Sequence, residues 1–183
     1  MNIVFSGLHG TGKSTIAKMI AEEFGLIHHS TGEVFRNLAK EKEMSLEEFS
    51  KYVEEHFEID KELDRRIIEY AKTANDENKN FIFDGQLPAY ILDELCDYAI
   101  MLKCETDIRI KRMSKRDDQT FADQMNETIA REKSEQERFM EIYGIDVLDP
   151  KNILKTYDLI VDTTHLDIDQ VFKVCKTAIS NYL

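Results

Sequence analysis

Gly7-Leu8-His9-Gly10-Thr11-Gly12-Lys13-Ser14 is the stretch that decides the fold. It follows the apolar run Ile3-Val4-Phe5 and leads into residues 15–24, where Ile16, Met19, Ile20 and Phe24 recur at helical spacing. The pattern is Gly-x-x-x-x-Gly-Lys-Ser, set between an expected strand and an expected helix. Phosphate oxygens need several backbone N–H groups converging on them, so the chain must wrap tightly, and glycines permit the necessary backbone angles. The N-terminal dipole of the following helix points at the same anion. Gly7, Leu8, His9, Gly10, Thr11, Gly12, Lys13, Ser14 and Thr15 are therefore read as a site for the phosphates of a nucleotide. Lys13 supplies a mobile cation for the β- and γ-phosphates, and Ser14 supplies a hydroxyl to Mg²⁺.

Outward from the loop, strand and helix signals alternate, as parallel βα units do. Gly25 ends the first helix. Residues 26–29, 81–83, 98–102 and 159–161 read as further strands, making about five in all. Ser30 offers a cap for a helix carrying Val34, Phe35 and Leu38, and Ser45 with Glu48 forms a capping box. Asp60 reads as the cap of a helix bearing Leu63, Ile67, Ile68 and Ala71, followed by a polar, turn-like stretch over 73–80. A basic helix over about 107–116 breaks at Asp117-Asp118-Gln119, and Thr120 with Asp123 restarts a long helix through Met140. Asp167 with Gln170 caps a C-terminal helix. Pro88 and Pro150 fall outside the periodic segments. The expected fold class is α/β, a five-stranded parallel sheet flanked by helices in one domain over 1–183.

Composition narrows the function. The 183 residues carry 24 Lys and Arg against 36 Asp and Glu, a formal charge of −12 that argues against a nucleic-acid partner. A mean hydropathy of −0.44 and the lack of a long apolar run argue against a membrane span. Met1 to Phe5 has neither a basic nor a long apolar segment, so no secretory signal is expected. Cys96, Cys104 and Cys175 are odd in number and lack metal-site spacing, which reads as reduced thiols in the cytoplasm. The pair His28-His29 reads as strand packing rather than metal ligation.

Asp84 ends the strand 81–83, where a carboxylate can help hold Mg²⁺, although Asp-Gly is also a plain turn signal. All eight arginines lie between 36 and 138, a local basic supply in an acidic chain. For Arg65 and Arg109 the favoured reading is a solvated helix face paired with glutamates. Arg131 and Arg138 are seven apart, hence on one helix face, where they could reach a single polyphosphate or serve as another solvated face.

The phosphate loop with Ser30-Thr31-Gly32-Glu33-Val34-Phe35-Arg36 resembles the nucleoside monophosphate kinases. Ile59-Asp60, Leu63-Asp64-Arg65-Arg66, Arg131-Glu132-x-Ser134-Glu135-x-x-Arg138 and Tyr143-Gly144-Ile145-Asp146 look like the archaeal-type cytidylate kinases. That resemblance implies a helical acceptor-binding region over 31–75 and a short lid over 116–138. It implies phosphorylation of CMP or dCMP by ATP with Mg²⁺, in a cytoplasmic protein working as a monomer. Carried over by position, Ser30, Thr31, Gly32, Arg36, Arg65, Asp84, Gly85 and Gln86 would form the acceptor site. Lys13, Arg131 and Arg138 would be catalytic, with Arg112 beside the donor. Asp84-Gly85-Gln86 departs from the Glu/Asp-Gly-Arg usual at this turn, removing an expected arginine from the acceptor side. Either acceptor binding is weaker, or Arg65 or Arg66 takes over, or the acceptor differs, AMP being the alternative. A nucleotide switch is disfavoured because Asn78-Lys79-Asn80-Phe81 lacks the Asp of a guanine-reading Asn-Lys-x-Asp. A nucleotide-binding interaction protein with weak turnover stays open.

Overall fold

Five parallel strands form one sheet in the order β2-β3-β1-β4-β5, with β1 at Asn2–Ser6, β2 at Ile27–Ser30, β3 at Phe81–Gly85, β4 at Tyr98–Lys103 and β5 at Leu159–Asp162. The computed structural model of the chain describes residues 1–76 and 79–182. The α/β parallel sheet expected from the alternation is therefore present.

Residues of β1 alternate between two apolar layers, as successive side chains of a strand must. Ile3 and Phe5 pack with Ile16 and Ile20 of α1 (Lys13–Phe24) and with Val171, Cys175 and Ile179 of α9 (Ile168–Tyr182). Val4 faces the other way, onto Ile67 and Ala71 of α4 (Glu58–Asp76) and Ala89 and Leu92 of α5 (Pro88–Leu92). A third apolar cluster joins Phe35 and Ala39 of α2 (Thr31–Glu41), Phe49 and Val53 of α3 (Leu46–Glu54) and Leu63 of α4. The stretch 31–75 thus forms three helices with a small core of their own.

Strand order reverses at β1, which has β3 on one side and β4 on the other. Ligands of open parallel sheets bind at such a switch point, beyond the carboxyl ends of the strands. Here the register sets Phe5 beside Asp84 and Ser6 beside Gly85, so the turn after β3 emerges next to the phosphate loop.

Some boundaries differ from the sequence reading. Asp60 does not cap α4, which begins at Glu58. It lies in the first turn, and its carboxylate is drawn inward to Arg138. The helix also runs on to Asp76, through part of the stretch expected to be a turn, because Ala71 and Ala74 are buried against the sheet. Residues 77 and 78 of that stretch lie outside the described residues. Both prolines open short helices that periodicity could not reveal, α5 and α8 (Pro150–Thr156), at the first turn where the missing N–H costs nothing. The capping box at Ser45 and Glu48 is present. Asp118 takes a left-handed conformation (φ 53°) between α6 (Thr106–Asp117) and α7 (Phe121–Tyr143), at the expected break. Thr120 caps α7, which continues three residues past Met140 to a left-handed Gly144.

Candidate functional site

Gly7 leaves β1 at φ 146° so close to β4 that a Cβ there would lie 2.2 Å from the Leu102 carbonyl oxygen. Only glycine fits that exit. Thr11 Oγ1 (2.9 Å) and Lys13 Nζ (3.3 Å) both donate to the Leu8 carbonyl, which holds the loop in shape. Arg109 supports it from beneath. Its guanidinium donates to the His9 carbonyl at 2.7 Å and to Glu132 at 2.6 Å, and the residue is only 2% exposed. The solvated pairing expected for Arg109 is thereby corrected. Its face of α6 turns inward under the loop.

Two cavities meet at this loop. The larger, about 1010 Å³, is lined by the loop from His9 to Ile16, by Arg112 and Arg116 of α6, by Gln124 and Thr128 of α7, and by Thr163 and Leu166 after β5. Arg112 is fixed there by donating to the Thr163 carbonyl at 2.7 Å. The smaller cavity, about 100 Å³, is lined by Thr31, Gly32, Asp60, Asp64, Gly85, Gln86, Arg138, Phe139 and Tyr143 among others. His9, Lys13, Ser14, Arg36 and Arg131 line both cavities.

That shared wall is rich in cations. Burial, with Arg116 and Arg131 nearby, pushes the Arg36 guanidinium below its ordinary pKa. Arg36 makes no ion pair among the described residues. Burial likewise lowers Lys13. Arg131 is paired with Glu135, whereas Arg36 is left with its charge directed at the cavities, as suits an anionic ligand. Thr31, which lines the smaller cavity, has a buried Oγ1 with no hydrogen-bond partner among the described residues.

At the junction Ser14 Oγ donates to Asp84 Oδ1 at 2.7 Å, and the His28 ring donates to Asp84 Oδ2 at 2.6 Å. Burial acts to raise the Asp84 pKa, but the His28 and Ser14 hydrogen bonds outweigh it and hold the carboxyl below its ordinary range. A hydroxyl and one ionised carboxylate are hard oxygen donors of the kind Mg²⁺ accepts when phosphates and water complete its shell. No group of three His, Cys, Asp or Glu side chains suited to a metal occurs among the described residues. His29 instead stacks on Tyr70, with ring centroids 4.1 Å apart.

The other expected residues divide. Arg131 and Arg138 do share a face of α7 and both line the smaller cavity. Arg131 Nε donates to Glu135 at 3.0 Å, and Arg138 Nε to Asp60 at 3.1 Å. Ser30 stands behind the wall, donating to Asp84 at 3.1 Å. Arg65 points away from the cavity, more than half exposed and bonded to Glu62 and Glu69, so its assignment to the acceptor wall is corrected. An exposed i,i+3 and i,i+4 network satisfies it instead. Arg66 pairs outward in the same way, with Glu62, so neither arginine replaces the one missing at 86.

Asp60, Asp64 and Tyr143 were not singled out as cavity residues. Asp60 and Asp64 sit one turn apart on α4, and the Tyr143 hydroxyl donates to Asp64. The only signal was their presence in the segments that carried the resemblance. Glu132 and Glu135 lie in another of those segments but were given no role, because a helix with alternating charges reads as solvated.

Comparison with known proteins agrees with this geometry. A family model described as an AAA domain matches residues 3–140. The chain is 43% identical to the cytidylate kinase of Methanocaldococcus jannaschii over 99% of its own length and 98% of that protein. It is 40% identical to the cytidylate kinase of Pyrococcus horikoshii, covering 98% and 88% of the two chains. It is 38% identical to that of Sulfurisphaera tokodaii, covering 95% and 92%. Among solved structures, an uncharacterized protein from Eubacterium ventriosum superposes with a TM-score of 0.69 at 18% identity, covering 98% of each chain. A sugar kinase from Janibacter superposes with a TM-score of 0.59 at 19% identity, covering 98% and 94%. At such identities these two structures speak for the fold alone.

Proposed function

The chain belongs to the cytidylate kinase family, and from that premise we propose that it moves the γ-phosphate of ATP onto CMP, and onto dCMP, across the wall its two cavities share. The products are ADP and CDP. One observation carries the reading: Lys13, Ser14, Arg36 and Arg131 line both cavities at once. A donor in the larger cavity and an acceptor in the smaller would meet end to end among these groups.

The chemistry asks for alignment and charge stabilisation more than for covalent help. An ionised acceptor phosphate is already a nucleophile, so no general base is needed. The loop amides and Lys13 hold the donor's phosphates. Arg36 holds the acceptor phosphate, with Thr31 Oγ1 free to donate to it. Arg131 and Arg138 neutralise charge that builds on the transferring group. Ser14 and Asp84 would hold Mg²⁺, which would supply charge neutralisation to the donor's phosphates. Closure of the lid over 116–138, hinged at Asp118, would keep water away from the transferring group.

We further place the protein in the cytoplasm as a monomer. Free Cys96, Cys104 and Cys175 suit a reducing compartment, and among the described residues no helix is long and apolar enough to cross a membrane. A coupled assay of ADP release across CMP, dCMP, UMP, AMP and GMP tests the function. Turnover highest with CMP and dCMP supports it. ADP release independent of any monophosphate would refute it.

A further inference from the structure

Glu135 is a buried anion of the site with three side-chain partners. It lies on α7 and is 5% exposed. Its Oε2 accepts from the His9 ring Nε2 at 2.7 Å and from Gln86 Nε2, while Oε1 accepts from Arg131 Nε at 3.0 Å. One carboxylate therefore ties together the donor loop, the turn after β3 and Arg131, one of the cations that line both cavities.

A buried negative charge beside a site for two phosphorylated molecules works against binding them. Its placement makes sense if geometry matters more than affinity. Arg131 has five N–H donors, and fixing Nε to Glu135 orients the other four without using them. His9 and Gln86 belong to loops that bear on different substrates, so a shared partner keeps those loops in register.

We propose that Glu135 is a positioning residue for phosphoryl transfer, setting Arg131, the donor loop and the acceptor turn in mutual register at some cost in acceptor affinity. The inference rests on the reading of the two cavities as donor and acceptor sites. In-line transfer is sensitive to such register, since a misplacement of about 1 Å costs about 100-fold in rate. A side chain that only stabilised the fold would change melting temperature and leave turnover of the folded enzyme intact.

The test is steady-state kinetics of Glu135→Gln with CMP varied at saturating ATP, alongside thermal melting and circular dichroism. The expected result is kcat reduced about 10- to 100-fold, with KM for CMP unchanged or lowered because an anion has gone. A raised KM with wild-type kcat overturns the proposal, as does a rate loss accounted for by the unfolded fraction. Should Glu135→Gln fail to fold, Gln86→Leu removes one arm of the junction and leaves the charge. A lowered kcat with a wild-type CMP KM then supports the proposal, and an unchanged kcat overturns it. Where both fold, their combination should cost less than the product of the separate losses. A wild-type protein that phosphorylates none of the five monophosphates would overturn the kinase reading itself. Active wild type with fully active Glu135→Gln would overturn the positioning role alone.

Discussion

Ser14 Oγ donates a 2.7 Å hydrogen bond to Asp84 Oδ1, joining the end of the phosphate loop to the end of β3. The pairing of Phe5 with Asp84 in the sheet makes this contact possible, because it brings the carboxyl ends of two neighbouring strands level. Three groups converge on Asp84: the hydroxyls of Ser14 and Ser30 and the His28 ring.

From that contact follows a prediction about Mg²⁺. Asp84→Asn keeps the size and one acceptor oxygen but loses the charge. Apparent affinity for Mg²⁺ should fall about 10- to 100-fold, the range seen when a partner of a metal site is lost. The measurement is turnover against free Mg²⁺ at fixed ATP. An unchanged midpoint would remove Asp84 from the metal site.

Lys13→Ala should lower kcat about 100-fold or more, by analogy with removal of a preorganised donor to developing charge. Lys13 Nζ is held by the Leu8 carbonyl, within the loop it serves. Arg131→Ala should lower kcat more than it raises KM for CMP if its contact forms mainly in the transition state. Both are read from steady-state rates with CMP varied. Full turnover of the Lys13 variant, or a pure KM effect at Arg131, would contradict the assignments.

The sheet was legible in the sequence because its strands are short apolar runs, each followed by a turn signal or a polar segment, and the phosphate loop because its glycines are dictated by backbone sterics. The short helices at Pro88 and Pro150 were hidden because each is too brief to show a period. The site was legible where one local segment makes it, as in residues 9–15, and opaque where it depends on long-range pairing. Asp60 looked like a helix cap, yet its partner, Arg138, is 78 positions away. Arg65 and Arg109 looked alike in charge and spacing, but one α-helical face meets solvent and the other meets the loop.

Arg109 shows what such burial implies for stability. Its guanidinium and the Glu132 carboxylate are 3% and 15% exposed and pair at 2.6 Å. Removing one partner of a buried pair leaves an uncompensated charge, so Arg109→Ala should destabilise by about 3–5 kcal/mol. ATP affinity should fall as well, because the His9 carbonyl loses its 2.7 Å donor. Arg109→Met combined with Glu132→Gln should recover much of the stability but not the nucleotide affinity, since the carbonyl stays unsupported. Urea denaturation and ATP titration of the two variants check this. Equal recovery of both properties would mean the pair acts only on the fold.

Asp64 supplies a prediction about pH. Burial pushes its carboxyl up from 3.8 to about 6, further than the Tyr143 hydroxyl pulls it down, and Asp60 adds to the rise. Between those values the folded chain holds a proton that the unfolded chain has released. Stability from this group therefore falls as pH rises through the window from about 4 to 6. A rise from 3.8 to about 6 corresponds to at most about 3 kcal/mol, less with solvent screening. Asp64→Asn removes the titration and keeps an oxygen to accept from Tyr143. The melting temperature of the variant minus that of the wild type should grow from pH 4 to pH 7, while the many other acidic groups, present in both, cancel in the difference. A difference that stays flat across that range would show that Asp64 is no harder to ionise in the folded chain than in water.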